Sequence, residues 1–364
     1  MAETDKTNQS SMHVMGGIKS QHDGMGRAAV KKFSRKKPLV IDEEAYIRDI
    51  RNGSRLHLAK AITFIESTVN EQQTIGQMLL KQLLPFTGNS IRIGITGVPG
   101  AGKSTFIEAF GKMLCEKGYK VAVLAIDPSS SLTGGSILGD KTRMEELAKN
   151  PSAFIRPSPT AGTLGGVHKK SRETMLLCEA AGYDVILVET VGVGQSETIV
   201  RGMVDFFLLL ALTGAGDELQ GMKKGIMELA DAVVVNKADG ANEKLAKKTV
   251  AEFKQILHFL APSSPNWTTP ALAVSSLYKI GLDTVWETIL QFQQIMMEQQ
   301  TWQNRRKEQT VDWFKTMIID RLYDDFFSSM EKKQTMSELE QSVRKEKITV
   351  SQAVEELFSS NSKE

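Results

Sequence analysis

The chain has 364 residues, with 45 Lys and Arg against 43 Asp and Glu, and two cysteines. That length holds two or three domains at about 100–200 residues each, and 41% hydrophobic with 24% charged residues excludes wholesale disorder. A net charge of +2 argues against nucleic acid as the main partner, no run approaches the roughly 20 apolar residues of a membrane span, and two isolated cysteines without CxxC spacing point to a reducing compartment.

Residues 1–40 are polar as far as Ala28 and then basic through Lys31, Lys32, Arg35, Lys36 and Lys37. They have no apolar core of a secretory signal, and Glu3, Asp5 and Asp23 suit an acid-poor transit peptide badly. A disordered, solvated basic tail is expected, with a bacterial cytoplasm preferred over the mitochondrial matrix. Residues 41–88 read as an N-terminal helical segment. Leu58, Ala61, Ile62 and Ile65 share one face, and Ile75, Met78, Leu79 and Leu83 repeat the pattern. Pro85 and Gly88-Asn89 end it.

From Ile91 the texture changes. Ile91–Thr96 is a short β-branched run, followed by Gly97, Val98, Pro99, Gly100, Ala101, Gly102, Lys103, Ser104 and Thr105. This fits G-x-x-x-x-G-K-[ST] between a strand and a helix, the context a phosphate-binding loop requires. Glycines let backbone N–H groups approach phosphate oxygens, and the following helix N-terminus adds a favourable dipole. Lys103 is expected to reach the β- and γ-phosphates and Ser104 to give a hydroxyl to Mg²⁺. The helix shows Phe106, Phe110, Met113 and Leu114 on one face and closes near Gly118.

Lys120–Ile126 is the next strand, followed by Asp127; Asp140 lies in Leu138–Met144. Either acid can bind Mg²⁺ or a water on it, although spacing alone favours solvated loop carboxylates. A strand at Ala153–Ile155 and a helix over His168–Ala181 lead to a strand at Val185–Val188. Glu189 at its end suits Mg²⁺, and Gly192 can give its N–H to a γ-phosphate in a loop that senses the nucleotide.

The most apolar run, within Val204–Leu212, precedes the glycine-rich segment Thr213–Gly225. There Lys223 or Lys224 can supply transition-state charge, or the loop is simply solvated. After a strand at Ala232–Val235 comes Asn236-Lys237-Ala238-Asp239. A carboxylate at Asp239 accepts from guanine N1–H and N2–H together, which adenine cannot match. Asn236 can serve the O6/N7 edge, and the stem of Lys237 can cover the base. Alone, this pattern also fits a surface turn. Its place about 130 residues after the Gly-rich loop, at a strand end, favours a base site. Asn242–Leu260 reads as a helix. Ser275, Ser276 and Leu277, after a strand at Ala271–Val274, can close over the base.

Apolar strands alternating with helices indicate an α/β fold, a largely parallel sheet covered on both faces, over about 89–300. Residues 301–364 read as a helical arm. Val311, Phe314, Ile318, Leu322 and Phe326 make a stripe, and Ser337-x-x-Glu340 and Thr349-x-x-Gln352 look like capping boxes.

Over about residues 42–330 the chain resembles the methylmalonyl-CoA mutase-associated GTPases, also labelled ArgK-type or LAO/AO transport system kinases. The resemblance rests on Gly97–Thr105, Ala125–Ser130, Leu138–Met144, Glu189–Glu197, Gly214–Gly225 and Asn236–Asp239. It implies a P-loop NTPase of the SIMIBI class that hydrolyses GTP to GDP with Mg²⁺, and a homodimer formed through the C-terminal arm. It also implies a role as G-protein chaperone for an adenosylcobalamin-dependent acyl-CoA mutase, gating cofactor loading and protecting the mutase. Asp127, Asp140 and Glu189 match the family's metal-site acids, and 214–225 matches its partner-sensing loop. No Asp-x-His-x-x-Gly run occurs, so cobalamin is expected on the partner. Two alternatives are a nickel- or zinc-inserting GTPase of the same fold class and a nucleotide-dependent kinase.

Overall fold

The computed structural model describes residues 41–126, 144–158, 164–190, 196–213 and 224–359. Three helices come first: α1 (Glu43–Arg51), α2 (Arg55–Glu66) and α3 (Asn70–Leu83). Asp42 caps α1 by accepting from Ala45 N at 3.1 Å, and Ser54 caps α2. The alternating region follows as β1 (Ile91–Gly97), α4 (Lys103–Glu116), β2 (Val121–Ile126), α5 (Glu145–Lys149), β3 (Ala153–Ser158), α6 (Leu164–Ala180), β4 (Val185–Thr190), α7 (Ser196–Arg201), β5 (Phe206–Ala211), α8 (Lys224–Leu229), β6 (Ala232–Val235), α9 (Glu243–His258), β7 (Ala271–Ala273) and α10 (Leu282–Glu298). The arm is α11 (Thr301–Phe326), α12 (Met330–Arg344) and α13 (Val350–Ser359).

The seven strands form one parallel sheet in the order β3-β2-β4-β1-β5-β6-β7. Every residue of β4, β5 and β6 is buried, which explains their unbroken apolar sequence. One face packs on α4 and α10 through Phe106, Phe110, Trp286 and Phe292; the other packs on α8 and α9 through Met227 and Phe253. Each such side chain contributes about 1.5–3 kcal/mol by burial. Because all strands run the same way, their C-terminal ends meet along one edge, where ligands bind in open α/β sheets.

Two readings shift in detail. β3 runs on through Pro157, since an edge strand tolerates a residue without an N–H. β5 starts at Phe206 because Val204 and Asp205 belong to the turn before it. One reading is corrected. Ser337 does not open a helix; it lies inside α12, which starts at Met330 with Ser329 Oγ accepting from Lys332 N at 3.4 Å. No breaker separates 330 from 337, so the helix propagates through the second signal. Thr349 does open α13: its Oγ1 accepts from Gln352 N at 3.2 Å, and its N–H donates to Gln352 Oε1 at 3.0 Å.

The arm's stripe divides. Trp302 and Arg306 at the start of α11 are buried, whereas Val311, Phe314, Ile318 and Leu322 are exposed on this chain. Phe326 stacks on Phe358 of α13 with ring centroids 4.7 Å apart. Among the described residues no helix is long and apolar enough to cross a membrane. Residues 1–40 lie outside those described.

Candidate functional site

Gly97 ends β1 with φ +153°, and a Cβ there would sit 2.3 Å from the Leu210 carbonyl oxygen of β5. Only glycine fits this turn. Gly100 and Gly102 both have φ +82°, and a Cβ on Gly102 would stand 2.9 Å from Asn236 Nδ2 and 3.9 Å from Lys237 Cε. The loop therefore packs directly on the Asn236–Lys237 segment. Pro99 and Gly100 are exposed, Ala101 is buried, and Thr105 is exposed on the first turn of α4.

Lys103 Nζ donates to the carbonyls of Gly97 at 2.9 Å and Val98 at 3.4 Å, so the ammonium curls back over the loop. Burial pushes its pKa below the usual lysine value, while the carboxylates of Glu189 and Glu197 act against that shift. Ser104 Oγ donates to Glu189 Oε1 at 3.2 Å. The β1–β4 register sets this contact, pairing Ile95 with Glu189. Beside it, Thr190 Oγ1 donates to Thr96 Oγ1 at 2.9 Å, both buried.

Asn236, directly after β6, acts as a strut. Its Nδ2 donates to Ala101 O at 2.8 Å, and its Oδ1 accepts from Ser276 Oγ at 2.7 Å and Ser276 N at 3.3 Å. Lys237 takes φ +60°, the left-handed region, which turns its stem toward Gly102. Asp239 Oδ2 accepts from Ser275 Oγ at 2.5 Å, and Ser275 Oγ in turn accepts from Tyr278 N at 3.2 Å. Asp239, Ser275 and Tyr278 line a cleft of about 460 Å³. Leu277 stands exposed beside it.

The structure thus brings together Gly97–Thr105, Glu189, Asn236, Lys237, Asp239, Ser275 and Ser276. Asp127, Asp140, Gly192 and Lys223 lie outside the described residues, and Lys224 starts α8 with its side chain outside them. Three features go beyond the sequence reading. Glu197, buried in the first turn of α7, acts electrostatically on Lys103. The hydroxyls of Ser275 and Ser276, more than their N–H groups, hold Asp239 and Asn236. Asn236 is engaged by the protein at both ends of its amide. Glu197 was visible as the last residue of the Glu189–Glu197 run; the hydroxyl pairs had no sequence signal.

Residues 58–331 match the family profile described as methylmalonyl Co-A mutase-associated GTPase MeaB. A putative GTPase from Caulobacter vibrioides is 51% identical over 319 residues, covering 88% of this chain and 98% of that protein. GTPase ArgK of Escherichia coli is 48% identical over 283 residues, covering 78% and 86%. The mitochondrial methylmalonic aciduria type A homolog of Mus musculus is 45% identical over 284 residues, covering 75% and 68%. Among solved structures, an LAO/AO transport system kinase superposes with a TM-score of 0.73 at 37% identity, covering 88% of this chain and 98% of that one. With these matches spanning the loop, the sheet and the base-side turn, the chain is a GTPase and belongs to the methylmalonyl-CoA mutase-associated GTPase family, MeaB.

Proposed function

We propose that this GTPase serves as a G-protein chaperone for an adenosylcobalamin-dependent acyl-CoA mutase, gating cofactor loading and protecting the mutase, with cobalamin held by the mutase. The observation that carries the nucleotide chemistry is Lys103 curled onto the Gly97 carbonyl beside the Ser104–Glu189 contact at one end of the site, and the pairing of Asp239 with Ser275 at the other. The family carries the mutase part of the reading.

In this reading the backbone N–H groups of 97–105 cradle the phosphates. Lys103 exchanges the carbonyls of Gly97 and Val98 for the β- and γ-phosphate oxygens. Its ammonium is partly desolvated, so its attraction for developing charge is stronger than in water. Ser104 Oγ and Glu189 Oε1, 3.2 Å apart, are hard oxygen donors that fit Mg²⁺. Asp127 and Asp140 are the further acids proposed for the ion or its waters. When bound, Mg²⁺ supplies charge neutralisation on the β- and γ-phosphates. Water attacks the γ-phosphorus in line, the bond to the β–γ bridging oxygen breaks with its electron pair left on GDP, and inorganic phosphate leaves carrying the water's oxygen and one of its protons, the other passing to solvent. Gly192 gives its N–H to the γ-phosphate, and Lys223 or Lys224 supplies transition-state charge.

Asp239 reads guanine N1–H and N2–H, held in register by Ser275. Lys237 covers the base, Asn236 braces the P-loop against Ser276, and Leu277 closes over the base. The exposed stripe of α11 supports a homodimer formed through the arm, in a bacterial cytoplasm. Burial pushes the thiols of Cys115 and Cys178 up. Protonated thiols are poor metal ligands, which speaks against metal insertion. The test is GTP turnover with and without candidate cobalamin mutases. A rise in rate with one of them is expected; a rate indifferent to every such mutase refutes the partner assignment.

A further inference from the structure

The turn that joins α7 to β5 is clasped by α11. Gln309 Nε2 donates to the carbonyls of Val204 at 2.9 Å and Arg201 at 3.4 Å. Arg306 forks onto Asp205, Nε to Oδ1 at 2.7 Å and Nη2 to Oδ2 at 2.6 Å. Arg305 Nη1 donates to the Asp205 carbonyl at 2.9 Å. Arg172 of α6 bridges the two sides, Nη2 to Gly202 O at 2.6 Å and Nη1 to Gln309 O at 3.1 Å. A helix C-terminus leaves its last carbonyls without intrahelical partners. Here the last of them, on Arg201, and the carbonyls of Gly202, Val204 and Asp205 in the turn beyond accept from α11 and from the arginine braced on it.

The other end of α7 reaches the nucleotide site. Glu197 is 1% exposed in its first turn, and its charge acts on Lys103. Val200 Cγ1 lies 2.9 Å from where a Cβ on Gly94 would sit, so α7 rests directly on β1 three residues before Gly97. Arg201 pairs with the fully buried Asp231, just before β6, the strand that Asn236 follows. A GTP γ-phosphate adds negative charge beside Lys103, whose ammonium lies on Gly97 at the end of the strand on which α7 rests; GDP does not. A ligand shifts an equilibrium only through such a difference in interaction.

We infer that α7 and the clasped turn 201–205 carry the identity of the bound nucleotide to α11, which sets the orientation of the helical arm and of its exposed apolar stripe. The inference rests on the nucleotide site proposed above. Gln309 to Phe326 spans about 26 Å of continuous helix at 1.5 Å per residue, so a small rotation at the clasp becomes a larger displacement at the hairpin of α12 and α13. The seam has room to re-pair, because Gln309 Oε1 and Trp313 Nε1 are buried without partners in this arrangement.

The experiment is hydrogen exchange on the full chain with Mg²⁺, comparing GDP with a non-hydrolysable GTP analogue. Residues 97–105 should be protected by both nucleotides, and amides of 301–326 should exchange about fivefold or more differently between the two. Gln309→Leu should keep nucleotide affinity and abolish the difference in α11; Arg172→Gln is a second variant with the same expectation. Protected 97–105 with identical α11 exchange in both states overturns the coupling and leaves the nucleotide site standing. A difference that survives in both folded variants overturns the clasp as its carrier. No protection of 97–105 by either nucleotide refutes the site reading and the coupling with it.

Discussion

Asp239→Asn tests the base site with little disturbance of the fold. Ser275 Oγ, 2.5 Å from Asp239 Oδ2, can hydrogen-bond an amide oxygen as well as a carboxylate, so the turn at 275–278 should keep its shape. The substitution acts on the ligand side. A carboxylate facing guanine N1–H and N2–H makes two charge-assisted hydrogen bonds, each worth about 1.5–3 kcal/mol. An amide keeps one acceptor without the charge and turns an NH₂ group toward a donor. The expected loss is about 2–4 kcal/mol, or roughly 30- to 700-fold in Kd for GDP. Xanthine has a carbonyl at C2, which accepts from that NH₂, so XDP should lose far less or gain. Competition against a fluorescent GDP analogue measures both nucleotides on one sample, and circular dichroism checks the fold. Unchanged GDP affinity in a folded variant would show that Asp239 does not read the base.

Three further outcomes follow from the geometry. Lys103→Ala should abolish GTP hydrolysis in single-turnover phosphate release, since the ammonium curled over Gly97 and Val98 is removed; normal turnover would exclude this loop as the active site. Gly97→Ala should lower the urea midpoint by an amount equivalent to about 2–4 kcal/mol, because its Cβ meets a backbone oxygen of β5 at 2.3 Å and neither strand can retreat from the sheet; an unchanged midpoint would contradict the turn geometry. Burial holds the Cys178 thiol protonated above its ordinary 9.0, so the unfolded chain releases that proton first. Its contribution to stability is full below about pH 9 and falls as pH rises beyond it, and Cys178→Ala should flatten that alkaline slope in denaturant titrations.

Much of this fold is legible in the sequence itself. β4, β5 and β6 are buried on both faces, so their residues had to be apolar throughout, and such runs stand out between amphipathic helices. The Gly97–Thr105 loop was legible for a related reason: left-handed backbone at Gly100 and Gly102 demands glycine at fixed spacing. Ser337 misled because a capping box is a local signal, and an uninterrupted helix from Ser329 overrides it.

Residue type and local spacing were enough to define the strands, the phosphate loop and Asp239 as the candidate base-side acid, because each depends on backbone constraints or chemistry carried within a few residues. Which side chains hold that chemistry in place depended on long-range packing. Ser275 meets Asp239 across 36 residues, Ser104 meets Glu189 across 85, and Arg306 meets Asp205 across 101. No periodicity encodes those pairs. They exist because a parallel sheet gathers the C-terminal ends of β1, β4, β6 and β7 at one edge, and because α11 folds back against the opposite edge, where buried charges must find partners.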